Sequence, residues 1–345
     1  MKILAIDIGA GTQDILLHNT KETIENSIKI VTPSPTKNYA TQIQTLNKPL
    51  YINGNIMGGG PISKALTQHI QKGHEVIMEK HPAHTIKDDL QKVQNKGIKI
   101  QDPPAPEKYP QHHKITLQDV NLPHILQAIK TITQTQPEFD KIAIAQQDHG
   151  YQNGLSDRNF RFQKIQEKLQ KPLKPEQFAH TTNIPPYYTR LTDTYKQLEN
   201  YQPLLMDSKF AAITGATQDT QAKKLKNYII MDIGNGHTMS ATIHKGKIYG
   251  LYEHHTHNLT PTKIEKYNQE LANATLKHKT IYNDHGHGAH CIKPIPEIEK
   301  IIATGPQRHI LEKSPLNYHY AAPAGDVMMT GPVGLIHAIK TQCSP

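Results

Sequence analysis

One motif occurs twice in this chain and sets what it can fold into. Asp7-Ile8-Gly9-Ala10-Gly11-Thr12 follows an apolar run at 2–6, and Asp232-Ile233-Gly234-Asn235-Gly236-His237-Thr238 follows another at 227–231. A second strand-like run comes after each copy, at 14–18 and 239–244. Both copies therefore predict a β-hairpin with a D-x-G-x-G turn. Glycine in such a turn allows positive φ and lets backbone N–H groups approach an anion closely. The Asp offers a phosphate no donor, so its natural use beside one is to hold a hydrated Mg²⁺. A single D-x-G also marks ordinary hairpins. Two copies about two-thirds of the chain apart, each at a strand end, imply two similar lobes facing one ligand.

The stretch between the copies alternates strand and helix patterns, which argues α/β layering. Short strands are predicted at 28–31, 50–52 and 75–78, helices at 62–71, 86–95 and 120–133, and a buried strand at 141–146. Residues 102–110 form a Pro-rich loop and 172–186 a crossing or hinge. Helices are predicted at 163–170 and 206–216, the latter beginning with Asp207 at or near its N-terminus. The second copy is followed by a strand at 247–252, a helix at 261–277, a strand at 298–303 and a last helix at 332–341.

The paired motifs resemble the phosphate-binding loops of the actin, sugar kinase and Hsp70 ATPase superfamily, and three further segments stand in that superfamily's order. Gln146-Gln147-Asp148-His149-Gly150 after the buried strand resembles a sugar kinase segment ending in Gln-Met-His-Gly. Met206-Asp207-Ser208-Lys209-Phe210-Ala211-Ala212 is similar to the Gly-Asp-Asn-Ala-Ala segment that carries the sugar kinases' catalytic Asp. Ala303-Thr304-Gly305-Pro306-Gln307-Arg308 stands where the superfamily has its adenosine motif, with Gly305 alone where two or more glycines are usual. The wording Ala5-Ile6-Asp7-Ile8-Gly9-Ala10-Gly11-Thr12-Gln13-Asp14 looks like a prokaryotic family, DUF1786, some of whose members carry the label pyruvate formate-lyase activating enzyme-related. That label implies a [4Fe–4S] centre on three clustered cysteines, whereas this chain has only Cys291 and Cys343.

The resemblance implies an α/β, two-lobed, actin-like (ribonuclease H-like) fold with a nucleotide cleft between the lobes. The first lobe would span 1–205 and a smaller second lobe 206–345, with the last helix packing back on the first. ATP and Mg²⁺ would be the cofactors. Asp7, Gly9, Gly11, Thr12 and Gln13 would meet the phosphates from one lobe, and Asp232, Gly234, Asn235, Gly236 and Thr238 from the other. Asp7 and Asp232 would hold Mg²⁺ through water, and Thr304, Gly305 and Arg308 would lie near the adenosine. Of Gln13 and Asp14, which point to opposite faces of a strand, the turn-proximal Gln13 is expected in the cleft.

Asp148 ends a buried strand, where α/β folds place chemistry, and could be a general base or a turn residue. Asp207 could be the base, which the resemblance favours, or a helix cap. Gly58-Gly59-Gly60-Pro61 leads into a helix N-terminus, which suits an acceptor's anionic group or a plain flexible start. Arg158 and Arg161 alternate with Phe160 and Phe162 and could face an anionic acceptor or serve the helix. Two histidine clusters, His254-His255-x-His257 and His285-x-His287-x-x-His290, could ligate metal only if three or four rings converge. With 22 histidines in the chain, some clustering arises from composition.

At 345 residues two domains are expected. The net charge of +9 comes from dispersed lysines with no basic run, which suits small anions and argues against nucleic acid. No apolar run approaches the roughly 18 residues of a membrane span. No secretory pattern opens the chain, and two unpatterned cysteines fit a reduced cytoplasm. These readings leave two functions open: a phosphotransferase or ATPase acting on a small-molecule acceptor, and a nucleotide-dependent switch that hydrolyses ATP slowly and reports to a protein partner.

Overall fold

Both predicted hairpins form, and each begins a sheet of the same connectivity. In the computed structural model, which describes residues 1–342, β1 (Lys2–Ile8), β2 (Thr12–Asn19) and β3 (Ile28–Pro33) make an antiparallel meander. The chain then leaves this sheet to build a separate parallel one. It runs through the helix Pro35–Thr45, β4 (Leu50–Gly54), the helix Gly60–Gln71, β5 (Val76–Glu79), β6 (Lys99–Gln101) and β7 (His113–Leu117), in strand order β6-β5-β4-β7. Leu50, Ile52, Leu66, Val76, Met78 and Ile115 give this insertion its own apolar core. The sequence reading did not anticipate it as a unit.

After the helix Leu122–Thr133 the chain returns with β8 (Lys141–Gln146), parallel to β1, and later β9 (Leu204–Met206), parallel to β8. The second sheet repeats the plan. β10 (Asn227–Ile233), β11 (His237–His244) and β12 (Lys247–His255) form a meander with β13 (Gly288–Cys291) at its edge. β14 (Lys300–Thr304) and β15 (Tyr318–Tyr320) extend it in parallel on the other side of β10. The strand orders β3-β2-β1-β8-β9 and β12-β11-β10-β14-β15 correspond position for position. This duplication defines the two-lobed, ribonuclease H-like α/β fold.

Local capping moves several predicted boundaries. The helix expected at 86–95 is confined to Leu90–Gln94 by its Asp89 cap, which frees the preceding residues to form a loop. The helix expected at 163–170 starts earlier, at Asp157, where the Ser156 side chain accepts the Asn159 N–H. Met206 belongs to β9, and Asp207 caps the helix Ser208–Ala216 through the Lys209 N–H. The helix from Pro261 ends at Ala272, just before Ala274 at φ 54°.

One apolar core joins the two sheets, with Ile3, Ala5 and Ala143 from the first and Tyr228, Ile230 and Ala241 from the second. Between the sheets lie the helices Ser208–Ala216 and Thr330–Gln342, which pack tightly on each other. The first touches β1, β8, β10 and β14, so it belongs to both lobes rather than to the second alone. The second packs against β1, β2, β8 and β9. Two glycines set their separation: a Cβ on Gly215 would fall 1.7 Å from the Thr330 carbonyl oxygen, and one on Gly334 would fall 2.0 Å from that of Ala211. Backbone cannot yield as a side chain can. Gly334→Ala should therefore destabilise the protein by about 1–3 kcal/mol, the usual cost of overpacking, measured by urea unfolding. A neutral result would mean that the helices can separate freely.

Candidate functional site

The two hairpin turns have the same construction. The Gly9 N–H donates to the Thr12 carbonyl at 2.9 Å and the Gly234 N–H to the His237 carbonyl at 3.0 Å. The first cross-strand pairs beyond the turns are Ile8 with Gln13 and Ile233 with Thr238. His237, not Thr238, is thus the counterpart of Thr12. Thr238 turns away from the cleft, fully buried with its hydroxyl on Thr256. The turn glycines adopt ordinary φ, so space is the reason for them. A Cβ on Gly11 would fall 2.0 Å from Asn235 Nδ2, and one on Gly234 would fall 2.8 Å from Lys209 Nζ. The two turns therefore meet each other.

They meet at a cleft of about 470 Å³, within the usual range for small-molecule sites. Asp7, Gly9, Gly11, Thr12, Asp232, Gly234, Asn235, Gly236, Thr304 and Gly305 line it, as the sequence predicts. Gly305 has φ 88°, and a Cβ there would lie 2.4 Å from the Ile233 carbonyl oxygen, so this single glycine holds the loop against the second hairpin. Besides Thr238, two expected residues are elsewhere. The Gln13 side chain is buried and donates to the Asp119 carbonyl at 3.3 Å. Arg308 folds back onto the Gly305 carbonyl and over the Tyr320 ring.

Asp14 takes the place expected for Gln13. It is the cross-strand partner of Asp7, so the two carboxylates share a face. Burial, reinforced by the Asp7 charge, raises the Asp14 pKa to about 8, and burial with the Asp232 charge raises that of Asp7 to about 7. One oxygen of each, Oδ1, is buried without a hydrogen-bond partner. Asp232 differs: the Lys209 ammonium, 2.5 Å from its Oδ2 and 2.7 Å from the His237 carbonyl, neutralises it. Two oxygen-only donors with orphaned atoms suit a hard divalent cation. The residues that fit Mg²⁺ are therefore Asp7 and Asp14, with Asp232 held by a lysine. The sequence favours Gln13 over Asp14 and assigns Lys209 no role, although the Asp7–Asp14 register follows once the turn is known to span four residues.

The two candidate bases have different surroundings. Asp148 lines the cleft; its oxygens accept the Gly150 N–H at 2.8 Å and the Leu191 N–H at 3.0 Å, and burial raises its pKa. Asp207 does not line the cleft. It forms a two-point ion pair with Arg161, at 2.7 and 3.1 Å, and caps its own helix. Arg161 also bonds the fully buried Glu253 at 2.7 Å, so it serves the interior rather than an acceptor. Arg158 likewise binds the Gly286 carbonyl and stacks on Tyr282.

The rest of the cleft wall comes largely from the insertion and its surroundings: Gly58, Gly59, Gly60, the loop His84–Asp88, and Arg190. A Cβ on Gly59 would lie 1.6 Å from the Thr85 carbonyl oxygen, so the glycine run is where two backbones touch. Arg190 is oriented by two bonds to Asp119, at 2.6 and 2.8 Å. Neither sequence cluster of histidines converges as a unit. His254 pairs with Asp284 at 3.0 Å and His290 with the Leu169 carbonyl at 2.9 Å. Instead His149, His237 and His287, from three segments, come together. Burial is the main cause that lowers the pKa of each, to about 4 for His237, and keeps all three rings neutral at pH 7.

The chain belongs to the family described as "Putative pyruvate format-lyase activating enzyme (DUF1786)", which matches residues 57–310. The chemistry in that description needs three clustered cysteines. Cys291 is half-buried in the second lobe, Cys343 lies outside the described residues, and no third cysteine exists. No curated protein matches the sequence. Among solved structures, the chain is similar to the ethanolamine utilization protein EutJ from Carboxydothermus hydrogenoformans, at 10% identity over 97% of this chain and 89% of that one, TM-score 0.33. It is also similar to a Bacteroides thetaiotaomicron protein with an actin-like ATPase fold and unknown function (8%, 96% and 95%, 0.39). A third is the inorganic polyphosphate/ATP-glucomannokinase from Arthrobacter sp. strain KM (11%, 99% and 99%, 0.36). At such scores these likenesses say nothing about chemistry, and the duplicated strand order stands on its own. No helix among the described residues is long and apolar enough to cross a membrane.

The paired acids predict a pH dependence with a definite sign. Their folded pKa values of about 7 and about 8 lie above the ordinary value of 3.8. The folded chain thus keeps protons that the unfolded chain has released, and metal-free stability falls as pH rises through that interval. Each pKa unit is worth about 1.4 kcal/mol, so the fall between about pH 4 and about pH 8 should reach several kcal/mol. Asp14→Asn should flatten it, as read from urea midpoints across the range. A wild-type midpoint that rises with pH would contradict the burial of these carboxyls.

Proposed function

We propose that the protein is an ATP-dependent phosphotransferase acting on a small polar acceptor. The observation that carries this reading is the convergence of two equivalent hairpin turns on one cleft, with Asp7, Asp14, Asp232 and Lys209 at the meeting point. Backbone N–H groups of the turns, the Thr12 hydroxyl and the Lys209 ammonium would bind the phosphate oxygens. Thr304 and Gly305 would bound the nucleoside end. Asp7 and Asp14 would hold Mg²⁺, which when bound supplies positive charge for the polyphosphate. Donors fixed in place before the reaction stabilise charge as it develops on a transferred phosphoryl group, and closure of the two lobes would exclude water.

The acceptor would lie against the insertion, between the Gly58–Gly60 segment, the His84–Asp88 loop and Arg190. The insertion supplies a wall suited to a small acceptor, which favours this reading over a switch that reports to a protein partner. Asp148 is the better placed of the two candidate bases. It faces the cleft, two backbone N–H groups orient it, and a raised pKa brings a carboxylate closer to the range that suits proton abstraction. Asp207 would act as the anchor for Arg161.

Calorimetry tests nucleotide binding. MgATP should bind, Asp232→Ala and Asp7→Ala should each weaken it, and a folded wild type that binds no nucleotide at millimolar concentration would end this reading. Two further variants separate the carboxylates. Asp148→Asn should leave nucleotide affinity nearly intact while lowering turnover by roughly 10²–10⁴, the usual weight of a general base. Asp207→Asn should instead cost stability, by about 3–5 kcal/mol if the Arg161 pair is effectively broken. The opposite pattern, with Asp207→Asn stable but inactive and Asp148→Asn active, would transfer the base role to Asp207.

A further inference from the structure

We propose that His149, His237 and His287 form a binding site for a transition-metal ion of the zinc class, with an open coordination position facing the cleft. This site is separate from the pair of acids that fits Mg²⁺ and does not rest on the nucleotide reading.

The three rings come from the turn after β8, the turn of the second hairpin and the residue just before β13. One nitrogen of each lies within 4.8 Å of the others. His149 Nε2 and His287 Nε2 are 3.0 Å apart, and the His237 ring stands edge-on to both, with centroids 5.8 and 4.7 Å away. Zinc–nitrogen bonds of about 2.0–2.1 Å in a tetrahedral shell separate ligand nitrogens by about 3.4 Å. Small ring rotations would bring the cluster to that spacing.

The surroundings are built for this arrangement. His287 is 1% exposed, and its Nε2 is the ring atom that meets His149. Its backbone N–H donates to the Glu253 carbonyl at 2.9 Å. The flanking glycines have no alternative: a Cβ on Gly286 would fall 2.7 Å from the His254 ring, and one on Gly288 would fall 2.3 Å from the His278 ring.

The donor set determines which cation. Three neutral imidazoles with no carboxylate or thiolate suit zinc, copper, nickel or iron and do not suit Mg²⁺ or Ca²⁺. Three protein ligands with a free fourth position are the pattern of reactive rather than purely structural zinc. His149 and His237 line the cleft while His287 sits behind them, so the free position points into the cavity. It would take a water or an anionic oxygen of a bound small molecule. His237 stands where the first hairpin has Thr12, so the two turns would present different chemistry to one cleft.

The test uses the full chain without an affinity tag, stripped with a chelator and titrated with Zn²⁺ or Co²⁺ in the presence of excess Mg²⁺ and no nucleotide. The wild type should bind zinc stoichiometrically and give the intense visible d–d absorption of tetrahedral cobalt. His149→Gln and His237→Asn should each weaken zinc binding by roughly a hundredfold or more, since loss of a ligand costs at least as much as loss of its supporting residue. His255→Asn, whose ring packs on His237 and His287, should bind as the wild type does. Circular dichroism of the metal-free variants establishes that they are folded. A folded, stripped wild type that takes up no zinc at micromolar concentration would overturn the proposal, as would zinc binding that survives both substitutions. Nucleotide binding is measured separately, so either reading can fail alone.

Discussion

The close crossing of the helices Ser208–Ala216 and Thr330–Gln342 is the constraint on which the rest of the structure depends. Gly215 and Gly334 bring backbone against backbone there, and every larger residue would force the helices apart. These helices pack on β1 and β8 of one sheet and on β10 and β14 of the other. Their separation therefore fixes the distance between the two hairpins. The same crossing carries Ser208 and Lys209 to the floor of the cleft, and it brings Gly331 so close to Asp7 that a Cβ would fall 1.9 Å from the carboxylate. Core packing and site geometry are thus one problem in this molecule, solved by glycine at 215, 331 and 334.

Buried charge divides into two kinds around that crossing. Arg161 with Asp207 and Glu253, and Arg190 with Asp119, are closed sets whose hydrogen bonds are satisfied within the protein. Such sets fix geometry more than they add stability, because desolvation offsets much of the attraction. Asp7 and Asp14 are an open set. Each has an oxygen without a partner, and burial drives each towards its neutral form. An open set of acids costs stability at neutral pH unless a cation joins it, which is the mark of a binding site rather than of a scaffold.

The sequence disclosed the frame well and the cleft incompletely. Both hairpins, the buried strand at 141–146 and the helix cap at Asp207 follow from strand-end Asp residues, apolar runs and turn glycines, all local signals. Gln13 and Thr238 were misplaced because their orientation depends on hairpin register, and one residue of register moves a side chain to the opposite face. The insertion was seen only as separate fragments. Its strands have three to five residues, too short to announce a sheet, and pairing among parallel strands leaves no signature in the intervening sequence. The histidine cluster was hidden for a related reason. Its members are 50 or more residues apart, while the neighbours that looked like clusters, His254 and His290, point to different partners.

The duplicated frame also explains how the cleft acquires different chemistry on its two sides. Repetition of the hairpin supplies two turns with the same hydrogen bond and the same leading Asp. What differs is the returning strand. On the first hairpin Thr12 and Asp14 face the cavity with polar oxygen atoms, and on the second the equivalent positions are His237 and Met239. Met239 is fully buried, so the second turn has no acid opposite Asp232, and Lys209 fills that role as a counter-charge. The backbone can therefore present N–H groups from both sides to one anion. In the proposed arrangement the oxygen ligands come from the first lobe alone, whereas the imidazoles come from both, His149 after β8 and His237 and His287 from the second sheet. Two turns of identical construction become unequal through two residues, and the asymmetry gives a ligand in the cleft a defined direction.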